Sequence, residues 1–234
     1  MTRVSRKSAV LLGASEGGVR TTQLSAQFEA AGLSSVQWMD AQSPLRVGVD
    51  GGVASWRSLA LVPELAVGDW DSLASPEKAL AGVPHQVTLS TEKDQSDLRA
   101  ALDETLSFGV EDWLCFGVTG GRPDHHLATL QELSLWSERK GAGRVRAWDE
   151  LAQYVFLSEG SSPWNLGLPP GRVFSVFSMS EDVRVSLSGA SYPLENFRLL
   201  PGSRGLSNRV ENDLGASIQV QQGRVVVVIP SKLA

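Results

Sequence analysis

Leu65-Ala66-Val67-Gly68-Asp69-Trp70-Asp71-Ser72 decides how the chain folds. A short apolar run that ends in glycine and two aspartates reads as a buried strand carrying carboxylates to its carboxyl end. The same pattern recurs on both sides. Upstream, Ala9-Val10-Leu11-Leu12 runs into Gly13, and Val47-Gly48-Val49 into Asp50-Gly51-Gly52. Downstream, Val87-Thr88-Leu89 precedes Lys93-Asp94-Gln95-Ser96-Asp97, and Trp113-Leu114-Cys115-Phe116 precedes a glycine-rich turn. Helical spacing lies between these runs, in Leu24, Phe28 and Ala31, in Leu98, Ala101, Leu102 and Thr105, and in Leu127, Leu130 and Leu133 up to Lys140-Gly141. Strands alternating with helices predict an α/β fold, with an N-terminal mostly parallel sheet flanked by helices.

After about residue 150 the helical periodicity stops. Tyr154 to Leu157, Val173 to Phe177 and Val183 to Leu187 follow one another between turn residues, a spacing that predicts a C-terminal all-β sandwich. Ile218-Gln219-Val220 and Val225 to Ile229 flank Gln221-Gln222-Gly223-Arg224 and read as a hairpin. Ser161 through Gly171 reads as a long loop. The expected division is residues 1–150, α/β, and residues 151–234, β-sandwich.

Composition excludes several classes. Of 234 residues, 42% are apolar and 20% charged, which supplies a core and excludes wholesale disorder. Twenty-one basic against 26 acidic residues, a net charge of −5, argue against nucleic acid and against a polybasic membrane contact. A single cysteine, Cys115, excludes a disulfide framework and a multi-cysteine zinc site; in its apolar run it reads as inert filler. The apolar runs are too short for a signal-peptide core or a spanning helix, so the expectation is a soluble, cytoplasmic protein.

Asp50, Asp69, Asp71, Asp94, Asp97 and Asp124 each fall just after a predicted strand or at the start of the next helix. In an open parallel sheet those positions gather along the carboxyl edge, where ligands bind. Converging carboxylates repel unless a cation intervenes, and an all-oxygen site suits Mg²⁺. Each aspartate also has a plainer reading. Asp94 and Asp97 stand where either would cap the Leu98 helix, and Asp-Gly-Gly is commonly a turn. Asp69 and Asp71 are harder to dismiss, because period-two alternation at a strand end would aim both at one ion while Trp70 turns into the core.

Gly117-Val118-Thr119-Gly120-Gly121-Arg122-Pro123-Asp124-His125-His126 joins a strand to a helix. Its glycines let backbone approach a phosphate, the helix start adds N–H donors, and Arg122 is placed to clamp a polyphosphate. It is not a Walker A loop, and the turn after Leu12 does not fit the dinucleotide fingerprint. Adjacent histidines diverge by about 100° on a helix and do not readily share an ion, so His125 and His126 read as a ligand contact or helix-start packing. His85 reads as a loop residue.

Taken in order, these segments resemble the thiamin pyrophosphokinase family. Its pattern is Asp-Gly-Gly, Pro-Asp, Gly-Asp-Phe-Asp-Ser, Lys-Asp-x-Thr-Asp and Gly-Gly-Arg-x-Asp-His-x-Leu-Ala-Asn. Here these stand as Asp50-Gly51-Gly52, Pro63-Glu64, Gly68 to Ser72, Lys93 to Asp97 and Gly120 to Thr129. Gly189 to Leu194 and Gly205-Leu206-Ser207-Asn208 look like the family's sandwich signatures. The resemblance implies transfer of pyrophosphate from ATP to the hydroxyl of thiamin, giving thiamin diphosphate and AMP. It implies Asp69, Asp71, Asp94 and Asp97 as catalytic carboxylates, with Asp69, Asp71 and Asp97 on Mg²⁺. Asp50, Gly120, Gly121, Arg122, Asp124 and His125 would hold ATP, and Ser207 and Asn208 would meet thiamin. Residues 1–150 would then be the ATP- and Mg²⁺-binding catalytic domain. Residues 151–234 would bind thiamin and dimerise, in a homodimer whose site is shared between subunits.

Ser96 stands for the usual Thr, Trp70 for Phe, Arg99 for an acidic residue, Thr129 for Asn and Arg209 for Glu. Ser96 keeps the hydroxyl and Trp70 adjusts packing, whereas Arg99, Thr129 and Arg209 bear on the surroundings of the site or the substrate pocket and leave the carboxylates in place. Two alternatives stand beside this reading. One is a pyrophosphokinase acting on another heterocyclic alcohol such as a pterin, which Arg209 keeps open. The other is a non-catalytic thiamin-binding sensor, against which the intact Asp69, Asp71, Asp94 and Asp97 speak.

Overall fold

The structure, a computed structural model, describes residues 7–14, 28, 43–92, 94–139 and 145–231. They form two compact units, residues 1–130 with 147–150 and residues 131–146 with 151–234.

In the first unit, Ser8–Leu12 (β1), Leu45–Val49 (β2), Leu65–Gly68 (β3), His85–Thr88 (β4) and Asp112–Phe116 (β5) pair in the order β5-β1-β2-β3-β4. Every pairing is parallel, and Leu11 stands opposite both Val47 and Cys115. Ala9 to Leu12 are fully buried, as an unbroken apolar run requires when both faces of a strand are covered. The helices among the described residues are Gly52–Ser58 (α1), Pro76–Leu80 (α2), Asp97–Leu106 (α3) and Pro123–Ser137 (α4). Trp56 ties α1 to β2 by donating from its buried Nε1 to Val47 O at 2.8 Å. Trp113 ties β5 to α3 through Thr105 Oγ1, also at 2.8 Å. Phe116 meets Phe28 edge-on at 4.7 Å and stacks on Trp148, at the end of Val145–Trp148 (β6), at 4.9 Å. Cys115 is fully buried in β5, and desolvation pushes its thiol up to about 12, consistent with inert filler.

Several expectations need correction. Neither Asp94 nor Asp97 caps α3. Ser96 does, its Oγ accepting from Arg99 N at 3.0 Å, which leaves Asp97 as the first helical residue. His85 is not in a loop; it opens β4 and packs edge-on against Phe108 at 5.4 Å. Leu127 does not join the buried face of α4. It is 57% exposed, and burial begins only at Leu133 and Trp136, toward the far end of the helix. Of the predicted Leu24 helix, only Phe28 lies within the described residues, where it is helical and buried; Lys140-Gly141 also falls outside them.

The second unit is antiparallel. Ala152–Ser158 (β7), Val173–Ser178 (β9), Asn208–Arg209 (β12) and Arg224–Pro230 (β14) run in the order β12-β9-β14-β7. Trp164–Asn165 (β8), Arg184–Ser188 (β10), Leu194–Arg198 (β11) and Ser217–Gln222 (β13) form a second sheet, β11-β10-β13-β8. Val155, Phe174, Val225 and Val227 from the first sheet share one core with Val185, Leu187, Ile218 and Val220 from the second. That is a sandwich, as expected. The predicted hairpin is not. β13 pairs with β10 and β8, whereas β14 pairs with β7 and β9, so the chain changes sheets at Gly223. Gly223 has φ +74°, and a side chain there would press on Asp182 O. The expected 161–171 loop also contains β8, which pairs with β13.

Candidate active site

The acidic group is built by two tight turns at adjacent strand ends. Asp50 follows β2, donates its N–H to Val67 O at 2.8 Å and has φ +47°. It can sit there because β3 ends in Gly68, where a Cβ would lie 2.8 Å from the Asp50 Cα. Beyond Gly68 the strand has stopped, so alternation along a strand is not what aims Asp69 and Asp71. A left-handed Trp70, φ +67°, reverses the chain between them. Its indole packs with Val53, Ala66 and Val83, as expected, and donates to Thr88 Oγ1 at 3.0 Å. Left-handed backbone at non-glycine residues is costly, and here it falls at two turns that both present carboxylates.

The result is one carboxylate oxygen from each of Asp50, Asp69 and Asp71, all within 4.8 Å of one another. Asp50 Oδ1 is buried with no hydrogen-bond partner among the described residues. An orphaned buried oxygen beside two further carboxylates fits a small hard cation. Sequence reasoning put Asp97 in this group and Asp50 among the nucleotide contacts. Asp97 lines the same cleft but is not one of the three clustered carboxylates.

The cleft also takes in Gly120, Arg122 and His125 from the glycine-rich segment. Asp94 is exposed and, like Gly121 and Asp124, is not among the lining residues; Lys93 lies outside the described residues. Asp124 is engaged elsewhere: Arg122 Nη2 and Nε donate to its two oxygens at 2.6 and 3.1 Å. That hydrogen bonding lowers the Asp124 carboxyl to about 2. His126 is turned back on the loop, its Nδ1 accepting from Gly120 N at 2.9 Å. Reasoning from sequence missed Gly13, Ser72, Ser96 and Thr119 as lining residues. Gly13 had a usable signal, since it ends β1 at the same sheet edge. Thr119 had none; it is 2% exposed, with its Oγ1 buried and unpartnered among the described residues.

In the second unit, Ser207 and Asn208 lie on a separate depression with Tyr192, Pro193 and Leu194. Ser207 has φ +58° and is exposed. Asn208 is buried and occupied: Oδ1 accepts from Tyr192 N at 3.1 Å and Arg209 N at 2.8 Å, and Nδ2 donates to Tyr192 O at 2.9 Å. One amide hydrogen is all it has left to offer. Arg209 Nη1 donates to Gly171 O at 3.0 Å, and the residue is not among those lining the depression.

Comparison with known proteins places these features. The family model for "Thiamin pyrophosphokinase, catalytic domain" matches residues 37–142, and that for "Thiamin pyrophosphokinase, vitamin B1 binding domain" matches residues 165–225. A thiamine pyrophosphokinase of Bacillus subtilis is 31% identical over 163 residues, 68% of this chain and 74% of the relative. The chain belongs to the thiamin pyrophosphokinase family. Its activity is accordingly that of a thiamin pyrophosphokinase, an enzyme that transfers pyrophosphate, and no observation favours the pterin-alcohol or sensor alternatives. The fold agrees. The crystal structure of a thiamine pyrophosphokinase from Bacillus subtilis superposes with a TM-score of 0.76 at 24% identity, covering 97% of this chain and all of the other. A thiamin pyrophosphokinase structure from Candida albicans gives 0.68 at 14% identity, covering 98% and 94%. No helix among the described residues is long and apolar enough to cross a membrane.

Proposed function

We infer that the pyrophosphate donor is ATP, that Mg²⁺ is the metal, and that the hydroxyl of thiamin attacks the β-phosphorus. The bond from that phosphorus to the oxygen bridging it to the α-phosphate breaks, AMP leaves with the electron pair, and the alcohol proton passes to a carboxylate. The observation carrying this reading is the meeting of Asp50, Asp69 and Asp71 beside a glycine-rich loop that bears Arg122. Asp69 and Asp71, with Asp50 or Asp97 completing the set, would hold the ion. Bound there, Mg²⁺ supplies neutralisation of charge on the phosphate oxygens. Asp97, at the first position of α3 and on the cleft, is the carboxylate that would take the alcohol proton if Asp50 fills the metal set. Arg122 and His125 would contact the nucleotide phosphates, and Asp124 would hold Arg122. Asp94, outside the cleft lining, would contribute only long-range charge.

Residues 1–150 are assigned the nucleotide and metal, and residues 151–234 thiamin and dimerisation, in a homodimer with a site shared between subunits. The exposed Tyr192 and Leu206 beside Ser207 support that assignment, since an apolar rim over buried Val176, Leu187 and Leu199 suits both an aromatic ligand and a subunit contact. Ser207 is the better candidate for a hydrogen bond to thiamin, because Asn208 is taken up in holding Tyr192. An ATP-consuming enzyme of this kind is assigned to the cytoplasm. The test is a product assay with protein, ATP, Mg²⁺ and thiamin, resolved by chromatography. Thiamin diphosphate forming in step with AMP is the expected outcome. ADP with thiamin monophosphate would overturn the reading.

A further inference from the structure

The geometry points to His126 as a positioning residue that sets the nucleotide-binding loop by holding Gly120. The inference rests on the assignment of that loop to ATP. His126 falls at a position the family pattern leaves open, the x after Asp-His in Gly-Gly-Arg-x-Asp-His-x, so the pattern gives it no role. It does not line the cleft, whereas Gly120 does. The contact between them is the Gly120 N–H donating to His126 Nδ1 at 2.9 Å.

The backbone that carries the ring is fixed, because His126 N donates to Arg122 O at 3.0 Å in the first turn of α4. The loop therefore folds back on the helix it leads into, through a bond six residues long in sequence. Accepting at Nδ1 requires that nitrogen to be unprotonated, with the ring proton on Nε2. It also means that the Gly120 N–H is already spent. Phosphate oxygens must then be met by other groups of the segment, and the Gly120 bond decides where those groups stand. Arg122 is two residues from Gly120 and is separately held by Asp124, so the segment is fixed at two points by the first turn of one helix. A loop pinned in advance loses less conformational freedom when a ligand arrives, and that saving appears in affinity.

The test compares His126→Leu, which keeps bulk and removes the acceptor, with His126→Asn, whose Oδ1 sits at the level of Nδ1. The expected result for His126→Leu is a rise of about tenfold in KM for ATP and in Kd for ATP with Mg²⁺. Turnover at saturating ATP should stay within about twofold and KM for thiamin should be unchanged. His126→Asn should restore most of the loss. Unchanged ATP affinity in His126→Leu would overturn the proposal, as would tighter binding, which would make His126 a competitor for the Gly120 N–H. A loss not rescued by asparagine would mean packing alone. Should the leucine variant fail to fold, His126→Gln carries its amide one methylene further out and gives the same contrast against His126→Asn. ATP titration of the unaltered protein separates the two readings. No ATP binding there overturns the assignment of the loop and the anchor with it, whereas binding that is equal in both proteins overturns the anchor alone.

Discussion

Trp70 Nε1 donates to Thr88 Oγ1 at 3.0 Å, and this bond spans the end of β3 and the end of β4 beneath the two aspartates of the acidic turn. The residue between those aspartates has φ +67°, a conformation that needs support from its surroundings. Trp70→Phe should keep most of the packing against Ala66 and Val83 and lose the hydrogen bond, leaving Thr88 near a ring edge. The expected cost is about 1 kcal/mol by urea unfolding, with turnover within about threefold. Thr88→Val should cost a similar amount, and the double variant should cost less than the sum, because both remove one bond.

Asp71 is exposed, so Asp71→Asn should leave the fold intact. Without a divalent ion, the variant should be slightly the more stable protein, since it removes one of three mutually repelling charges. With Mg²⁺ the order should reverse, because an ion that binds only the folded state raises Tm and the variant binds it less well. Turnover should fall by at least about 10²-fold. Thermal melts with and without Mg²⁺ read the metal site independently of activity. A variant that gains as much Tm from Mg²⁺ as the parent would place the ion elsewhere.

The carboxylate rim was legible in the sequence because it follows from topology. Once apolar runs alternate with helices, residues just past each run must share one edge of the sheet. What was not legible depended on which surfaces meet across the chain. The Gln221 to Arg224 segment looks the same whether its strands pair or part, and only the separate partners of β13 and β14 decide it. Asp94 and Asp97 both read as caps of α3, yet the cap fell to Ser96, one position before Asp97. Asp50 joined the clustered carboxylates because Gly68 admits its backbone, a contact between two strand ends that no local pattern records. The pairing of Gly120 with His126 likewise required the loop to fold back.

Asp124 provides a pH reading of the loop. Arg122 lowers its carboxyl from the ordinary 3.8 to about 2. A depressed value means that whatever the pair contributes is fully present above 3.8 and is lost as pH falls through about 2. A carboxyl titration by NMR should show Asp124 with a midpoint near 2, and Arg122→Gln should move it back up. An ordinary midpoint in the unaltered protein would mean that the guanidinium is not held there in solution.

Asn208 and Ser207 should separate by experiment although they are neighbours. Asn208 satisfies both the N–H and the C=O of Tyr192, so Asn208→Ala leaves those groups without partners beside a buried site. The expected loss is about 1–3 kcal/mol of stability, accompanied by a higher KM for thiamin as the segment bearing Tyr192, Pro193 and Leu194 loosens. Ser207→Ala touches no such bond through its side chain, since the contact with Ser175 Oγ at 3.0 Å is made by the Ser207 backbone N–H. Its stability should stay within about 0.5 kcal/mol while KM for thiamin rises. KM for ATP should hold in both variants, because ATP is assigned to the cleft in the first unit. If Asn208→Ala kept full stability yet lost thiamin affinity, the amide would be a direct thiamin contact and its bonds to Tyr192 incidental.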